Sequence, residues 1–287
     1  MVQIITKEIL SFYRTPGLMT DASNQSDMLE SLPSEVGGLV DAVQANLLHV
    51  FWAERYGRFL SEIDKTTLNI RPISEKLAIL RAINPAPLIC PRSLEQRQVG
   101  NCRDFTLLLC TILRYQGVPA RARCGFATYF LPNHYEDHWV CEVWNTAQAR
   151  WMMVDAQLDV LQQQVLQIDF DPLDIPKGRF IPAGLAYQMC RKGQADPDTF
   201  GIFDMHGLDF IQGNVVRDLL ALNKVEILPW DWGWGYLTEA SFANLALFDH
   251  LAALLVAEDE AYPQLRAIYL NDPSLAPPET AMPPTSG

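Results

Sequence analysis

Cys102, His138 and Asp155 carry, in that order, the side chains of a nucleophile, a base and an orienting acid, and they fall within one short span of the chain. Cys102 lies in "VGNCRDFTLLLCTILRYQGVPARARCGF" (residues 99–126), between a polar turn and an apolar-periodic run. Asn101 is a capping residue, Asp104 stands where it can return the cap's hydrogen bond, and Phe105, Leu108, Leu109, Ile112 and Leu113 form one apolar stripe. This spacing predicts a helix that opens at Cys102 and is ended by Gly117 and Pro119. A thiol at that position meets the positive end of the helix dipole and unspent backbone N–H groups, both of which favour thiolate. Its pKa is therefore expected to lie below the ~8.5 of a free thiol, the more so beside an imidazolium.

The elements that must bring up the partners follow directly. "RARCGFATYF", "HWVCEVWN" and "RWMMVDAQL" are rich in aromatic and β-branched residues and read as three strands. In the second, His138, Val140, Glu142 and Trp144 share one face, whereas Trp139, Cys141 and Val143 share the other. A hairpin centred between Ala147 and Gln148 sets Val140 opposite Asp155 and His138 opposite Gln157. Asp155 is then the diagonal neighbour of His138 on one face, as an acid that orients an imidazole must be, and a one-residue slip would separate them. Such a set attacks an acyl carbon through sulfur, shuttles the proton through His138 and holds its tautomer with Asp155. The tetrahedral oxygen needs donors. The Cys102 backbone N–H is one, and the amide of Gln98, preferred to Gln96, is the candidate for the second.

These residues carry a resemblance. A Gly-x-Cys opening a helix, a Gly-Val-Pro-Ala-Arg turn into a strand, His-Trp beginning the next and Trp…Val-Asp ending the set make residues 98–158 resemble the core of the transglutaminase-like superfamily. The resemblance implies an α+β fold, with a papain-related nucleophile helix packed on an antiparallel sheet, and assigns Cys102, His138 and Asp155 the catalytic positions. Two departures are Trp139 directly after the histidine, where many members have a small residue between, and Thr106, where alanine is frequent. "YRTPGLMTD", "HVFWAERYG" and "GNVVRDLLALNKVEILPWDWGWGY" are also similar to segments of a bacterial group of transglutaminase-like proteins, which implies shared architecture without naming a reaction.

Outside the core, helices are expected through Leu39, Val43, Leu47, Val50 and Phe51 up to Gly57, over 74–83, and in "GNVVRDLLALNKVEIL" and "EASFANLALFDHLAALLVAEDEAYPQLRAIYL". The organisation this predicts is a helical segment over 1–90, the core over 91–165, a mostly helical segment over 166–270 and a flexible Pro-rich tail over 271–287. Trp139 and the cluster Trp230, Trp232 and Trp234 are candidates for lining a substrate pocket.

A net charge of −12 with no basic patch argues against nucleic-acid and membrane-surface partners. No signal-like start and no run near ~18 apolar residues is present, so a cytoplasmic chain is expected. The six cysteines have no Cys-x-x-Cys pair and read as free thiols. His134, His138 and Cys141 do not have the spacing of a compact zinc site, and Asp204, Asp209 and Asp231 show no EF-hand pattern. No metal or cofactor is expected. His49 with Trp52, Glu54 and Arg55 is a candidate pocket lining, but a histidine on an apolar helix reads first as core, and the same holds for His206 and His250. The function expected is a cysteine hydrolase or acyltransferase that forms a thioester from a peptide, protein or small amide substrate. The alternative is a catalytically silent binding module that keeps the fold.

Overall fold

The helix that opens at Cys102 is the centre of the molecule. In the computed structural model, which describes residues 6–231, 244–277 and 279–282, α5 spans Cys102–Tyr115. The Asn101 side chain accepts from the Asp104 N–H at 3.3 Å and the Asp104 carboxylate accepts from the Asn101 N–H at 3.1 Å, a closed capping box. Gly117, at φ +74°, ends the helix in the left-handed conformation glycine tolerates best. From Arg103 to Arg114 every residue of α5 is buried, because other elements cover it on all sides.

Strands β3 (Ala120–Ala127), β4 (Tyr135–Asn145) and β5 (Arg150–Val154) form the antiparallel part of the sheet. Cys141 pairs with Val154 and Asn145 with Arg150, the register expected from the hairpin. The alternation along β4 is also as expected. Trp139, Cys141 and Val143 enter the main core, where the Cys110 and Cys141 sulfurs lie 3.3 Å apart between α5 and β4. Val140 on the other face packs with Ile175 and Phe180.

Three short strands complete the sheet: β6 (Phe180–Pro182) on the outer edge of β3, and β7 (Phe200–Ile202) followed by β8 (Met205–His206) beyond β4. β3 pairs along one edge of β4 from Glu136 to Val143. The opposite edge is shared, with β7 taking Tyr135 and Glu136 and β5 taking residues from Cys141 onward. Between them, residues 137–140 have no strand on that edge. The N-terminus of α5 meets β4 at this break.

The N-terminal part holds α1 (Lys7–Arg14), α2 (Val36–Asn46), α3 (Glu62–Lys65) and α4 (Ile73–Ile83). The helix expected to continue through Phe51 stops at Asn46. Asn46 spends its amide on the carbonyls of Ala42 and Leu88, and Leu47–His49 become β1, paired in parallel with β2 (Gln98–Gly100). Tertiary pairing here overrides a helical period that the leucines and valines also satisfy. Toward the C-terminus lie α6 (Val160–Leu166), α7 (Ala183–Arg191), α8 (Leu208–Leu222) and the helices Leu245–Ala257 and Tyr262–Asn271, the last two separated at Glu258 with φ +51°. One apolar cluster runs from Ile9 to Leu275 and Ala281, so both end segments pack on the core, including part of the stretch expected as a tail.

Candidate active site

Where α5 meets the break in β4, a cleft of about 500 Å³ opens, with Cys102 and His138 in its lining. Cys102 is half-buried and reached from this cleft. The helix start leaves its backbone N–H without an acceptor among the described residues. The Trp139 backbone N–H, on the β4 edge that has no strand beside it here, is near enough to favour the thiolate form of Cys102.

His138 is held from behind. Its Nε2 lies 2.8 Å from Asp155 Oδ2, and that oxygen also accepts from the Tyr129 hydroxyl at 2.7 Å. Asp155 Oδ1 accepts from the Gln157 N–H at 2.9 Å. Burial by itself would raise the Asp155 pKa, but the His138 charge and these hydrogen bonds outweigh it and hold the carboxyl below its ordinary value. Asp155 is therefore an acceptor, and the proton it faces sits on His138 Nε2. Nδ1 is left as the basic nitrogen of a ring that lines the cleft. Tyr129, pushed far above a normal phenol by burial and the adjacent Asp155 charge, stays a neutral donor. Phe130 and Tyr129 pack edge-on against the imidazole, with ring centroids 4.9 and 6.1 Å away.

The thiol differs from the expectation of a lowered pKa. Burial, then the negative charge of Asp137, push it well above an ordinary thiol, against the pull of the Trp139 N–H. Asp137 is buried and fixed by α8, accepting from the Asn214 amide at 2.8 Å with the Arg217 guanidinium 3.4 Å away. Burial thus favours the thiol form of Cys102 at rest, so the arrangement suits proton transfer during attack rather than a stored thiolate. Iodoacetamide labelling of Cys102 across pH, read by peptide mass spectrometry, is expected to rise only above the ordinary thiol range. Asp137→Asn removes the charge and is expected to speed labelling several-fold near neutral pH. A wild-type titration below the free-thiol range would contradict this.

The other expected site residues divide. Gln98 does not serve the cleft: it is buried with its amide on the Lys76 carbonyl at 3.3 Å, because β2 turns that side chain toward α4. Trp139 is likewise not a pocket residue. Strand alternation sends its indole into the core, 1% exposed, and only its backbone reaches the site. Trp230 does line the cleft, with its Nε1 donating to Asn69 Oδ1 at 3.2 Å. Trp232 and Trp234 lie outside the described residues. His134 pairs with Glu136 at 3.1 Å while Cys141 faces Cys110, and among the described residues no three His, Cys, Asp or Glu side chains converge on one metal position. No helix among them is long and apolar enough to cross a membrane.

Sequence reasoning missed Tyr129, Asp137 and Glu136, and it set His49 aside as a core residue although the structure places it in the cleft lining. Glu136 stands in the cleft lining with its pKa pushed up to about 7, by burial first and the adjacent Asp137 charge second, so it changes charge near neutrality. Only His49 had a legible signal, as a histidine in an otherwise apolar run.

Residues 80–156, about a quarter of the chain, match the family model of the transglutaminase-like superfamily. No curated protein matches the chain. A crystal structure of a candidate cysteine protease from Cytophaga hutchinsonii is similar at 18% identity and a TM-score of 0.33, over 53% of this chain and 43% of that one. The similarity thus spans less than half the length of that protein. With Cys102 opening α5, and with the strands that carry His138 and Asp155 following in the expected order, the chain contains a transglutaminase-like α+β core.

Proposed function

We propose that the protein is a cysteine enzyme that forms a thioester at Cys102 from an amide or peptide and releases the acyl group to water or an amine. The observation that carries this reading is the 2.8 Å bond between His138 Nε2 and Asp155, which leaves Nδ1 as base in the cleft that Cys102 also lines. His138 Nδ1 takes the thiol proton as sulfur bonds to the acyl carbon and the carbonyl electron pair moves to oxygen. When the oxyanion collapses, the C–N bond breaks and His138 returns the proton to the leaving amine. Water or an amine, deprotonated by the same nitrogen, then attacks the thioester and expels the Cys102 sulfur, which recovers its proton. The Cys102 N–H at the helix start is placed to donate to the oxyanion.

Apolar groups dominate the rim. Phe51, Phe203, Leu131 and Val165 are exposed there, and the Phe51 and Phe203 rings meet edge-on at 5.1 Å. Acyl groups with aromatic or branched side chains are therefore the first to offer. The test incubates the protein with a panel of N-acylated aromatic and aliphatic amino-acid amides and esters, quenches in acid and maps acyl adducts by mass spectrometry. An adduct on the Cys102 peptide, removed by neutral hydroxylamine, is the expected result. Absence of any adduct across the panel, with the compounds merely bound, would favour the silent binding module.

A further inference from the structure

Building on the acyl-transfer reading, we propose that His49, acting as a neutral imidazole, is the second oxyanion donor: its Nε2–H and the Cys102 backbone N–H together hold the tetrahedral oxygen.

The assignment begins with the backbone. β1 and β2 run in parallel with His49 opposite Gly100, two residues before Cys102, and the Val50 N–H donates to the Gly100 carbonyl at 2.9 Å. His49 is thereby fixed one strand away from the residues that lead into α5. Its ring packs near Phe105, one helical turn past Cys102, with centroids 6.2 Å apart, and it lines the same cleft as Cys102 and His138. The tautomer follows from a donor that cannot be anything else. The Phe51 backbone N–H lies 3.3 Å from His49 Nδ1, so Nδ1 accepts and a neutral ring carries its proton on Nε2. Nε2 has no partner among the described residues.

Neutrality is built in as well. The ring is 6% exposed, and burial, followed by the charge of neighbouring His138, pushes its pKa down to about 3, against a smaller opposing effect of Asp155. His49 is thus a fixed-direction donor that does not compete with His138 for the thiol proton. It fills the role that Gln98, committed to the Lys76 carbonyl, does not.

The test compares two reactions of one sulfur. Acyl transfer builds an oxyanion, whereas alkylation by iodoacetamide displaces iodide at a saturated carbon and builds none. With an ester found to acylate wild type, His49→Ala is expected to lower the acylation rate about 10²–10³-fold, the usual effect of losing one such donor, with KM little changed. Cys102 alkylation stays near the wild-type rate. His49→Gln, whose amide nitrogen can reach the Nε2 position, is expected to recover much of the loss. His49→Asn, which keeps an acceptor for the Phe51 N–H but no donor at that distance, is not. Equal loss of acylation and alkylation in every variant, or wild-type acylation in His49→Ala, overturns the assignment. If wild type itself acylates with no ester or amide, the acyl-transfer reading fails first and the oxyanion role falls with it.

Discussion

Cys102→Ala is expected to fold normally and to form no acyl adduct, with turnover of any accepted substrate down by about 10⁴-fold or more. The side chain is small and half-buried, and among the described residues it makes no hydrogen bond that holds the fold together. Thermal unfolding should shift little. None of the other cysteines can substitute: Cys110, Cys124 and Cys141 are buried in the core, and neither Cys90 nor Cys190 lines the cleft. Cys90 is exposed and will react with alkylating reagents, so labelling must be read peptide by peptide. Persistence of acylation in the alanine variant would place the nucleophile elsewhere and remove the basis for the enzyme reading.

Asp155→Asn should be nearly as damaging, with acylation slowed about 10⁴-fold as in other triads whose acid becomes an amide. The hydrogen bonds explain why neither amide orientation works. Asp155 Oδ1 faces a Gln157 N–H, and Oδ2 faces both His138 Nε2 and the Tyr129 hydroxyl. If the amide oxygen takes the Gln157 side, the NH₂ meets Nε2 and moves the imidazole proton to Nδ1, the nitrogen that must accept from the thiol. If the amide turns over, its NH₂ opposes the Gln157 N–H. Single-turnover acylation measured beside a thermal melt separates tautomer loss from unfolding. A folded variant within tenfold of wild type would show that His138 does not depend on Asp155.

How far the sequence could be read followed from how local each signal was. The capping pair Asn101 and Asp104 and the stripe on α5 lie within a few residues of one another, and the hairpin register followed from alternation on both strands. Those features located Cys102, His138 and Asp155 together. Gln98 was misread because nearness in sequence to a nucleophile says nothing about which way a strand residue points; only the pairing of β2 with β1 does. Alternation set Trp139 on the face of β4 opposite His138, yet it was offered as a pocket residue; that face turns out to be the core-facing one. His49 was assigned to a helical core because Leu39, Val43 and Leu47 keep a helical period that Asn46 ends. Asp137 could not be recognised as an influence on the thiol, since its holders Asn214 and Arg217 lie on α8, some eighty residues later. Burial likewise reversed the expected direction of the Cys102 titration, and burial is a property of the assembled cleft.

The shared edge of β4 gives strand length a chemical meaning. β5 stops its pairing at Cys141 and β7 at Glu136, and the Trp139 N–H, which favours the thiolate, lies in the interval they leave. Had either neighbour been two or three residues longer, the ladder would have claimed the Trp139 N–H and filled the place where α5 begins. Reactivity at this site is thus specified partly by where two strands end. An insertion or deletion in the turns flanking β5 or β7 can silence the protein while every one of Cys102, His138 and Asp155 remains in place.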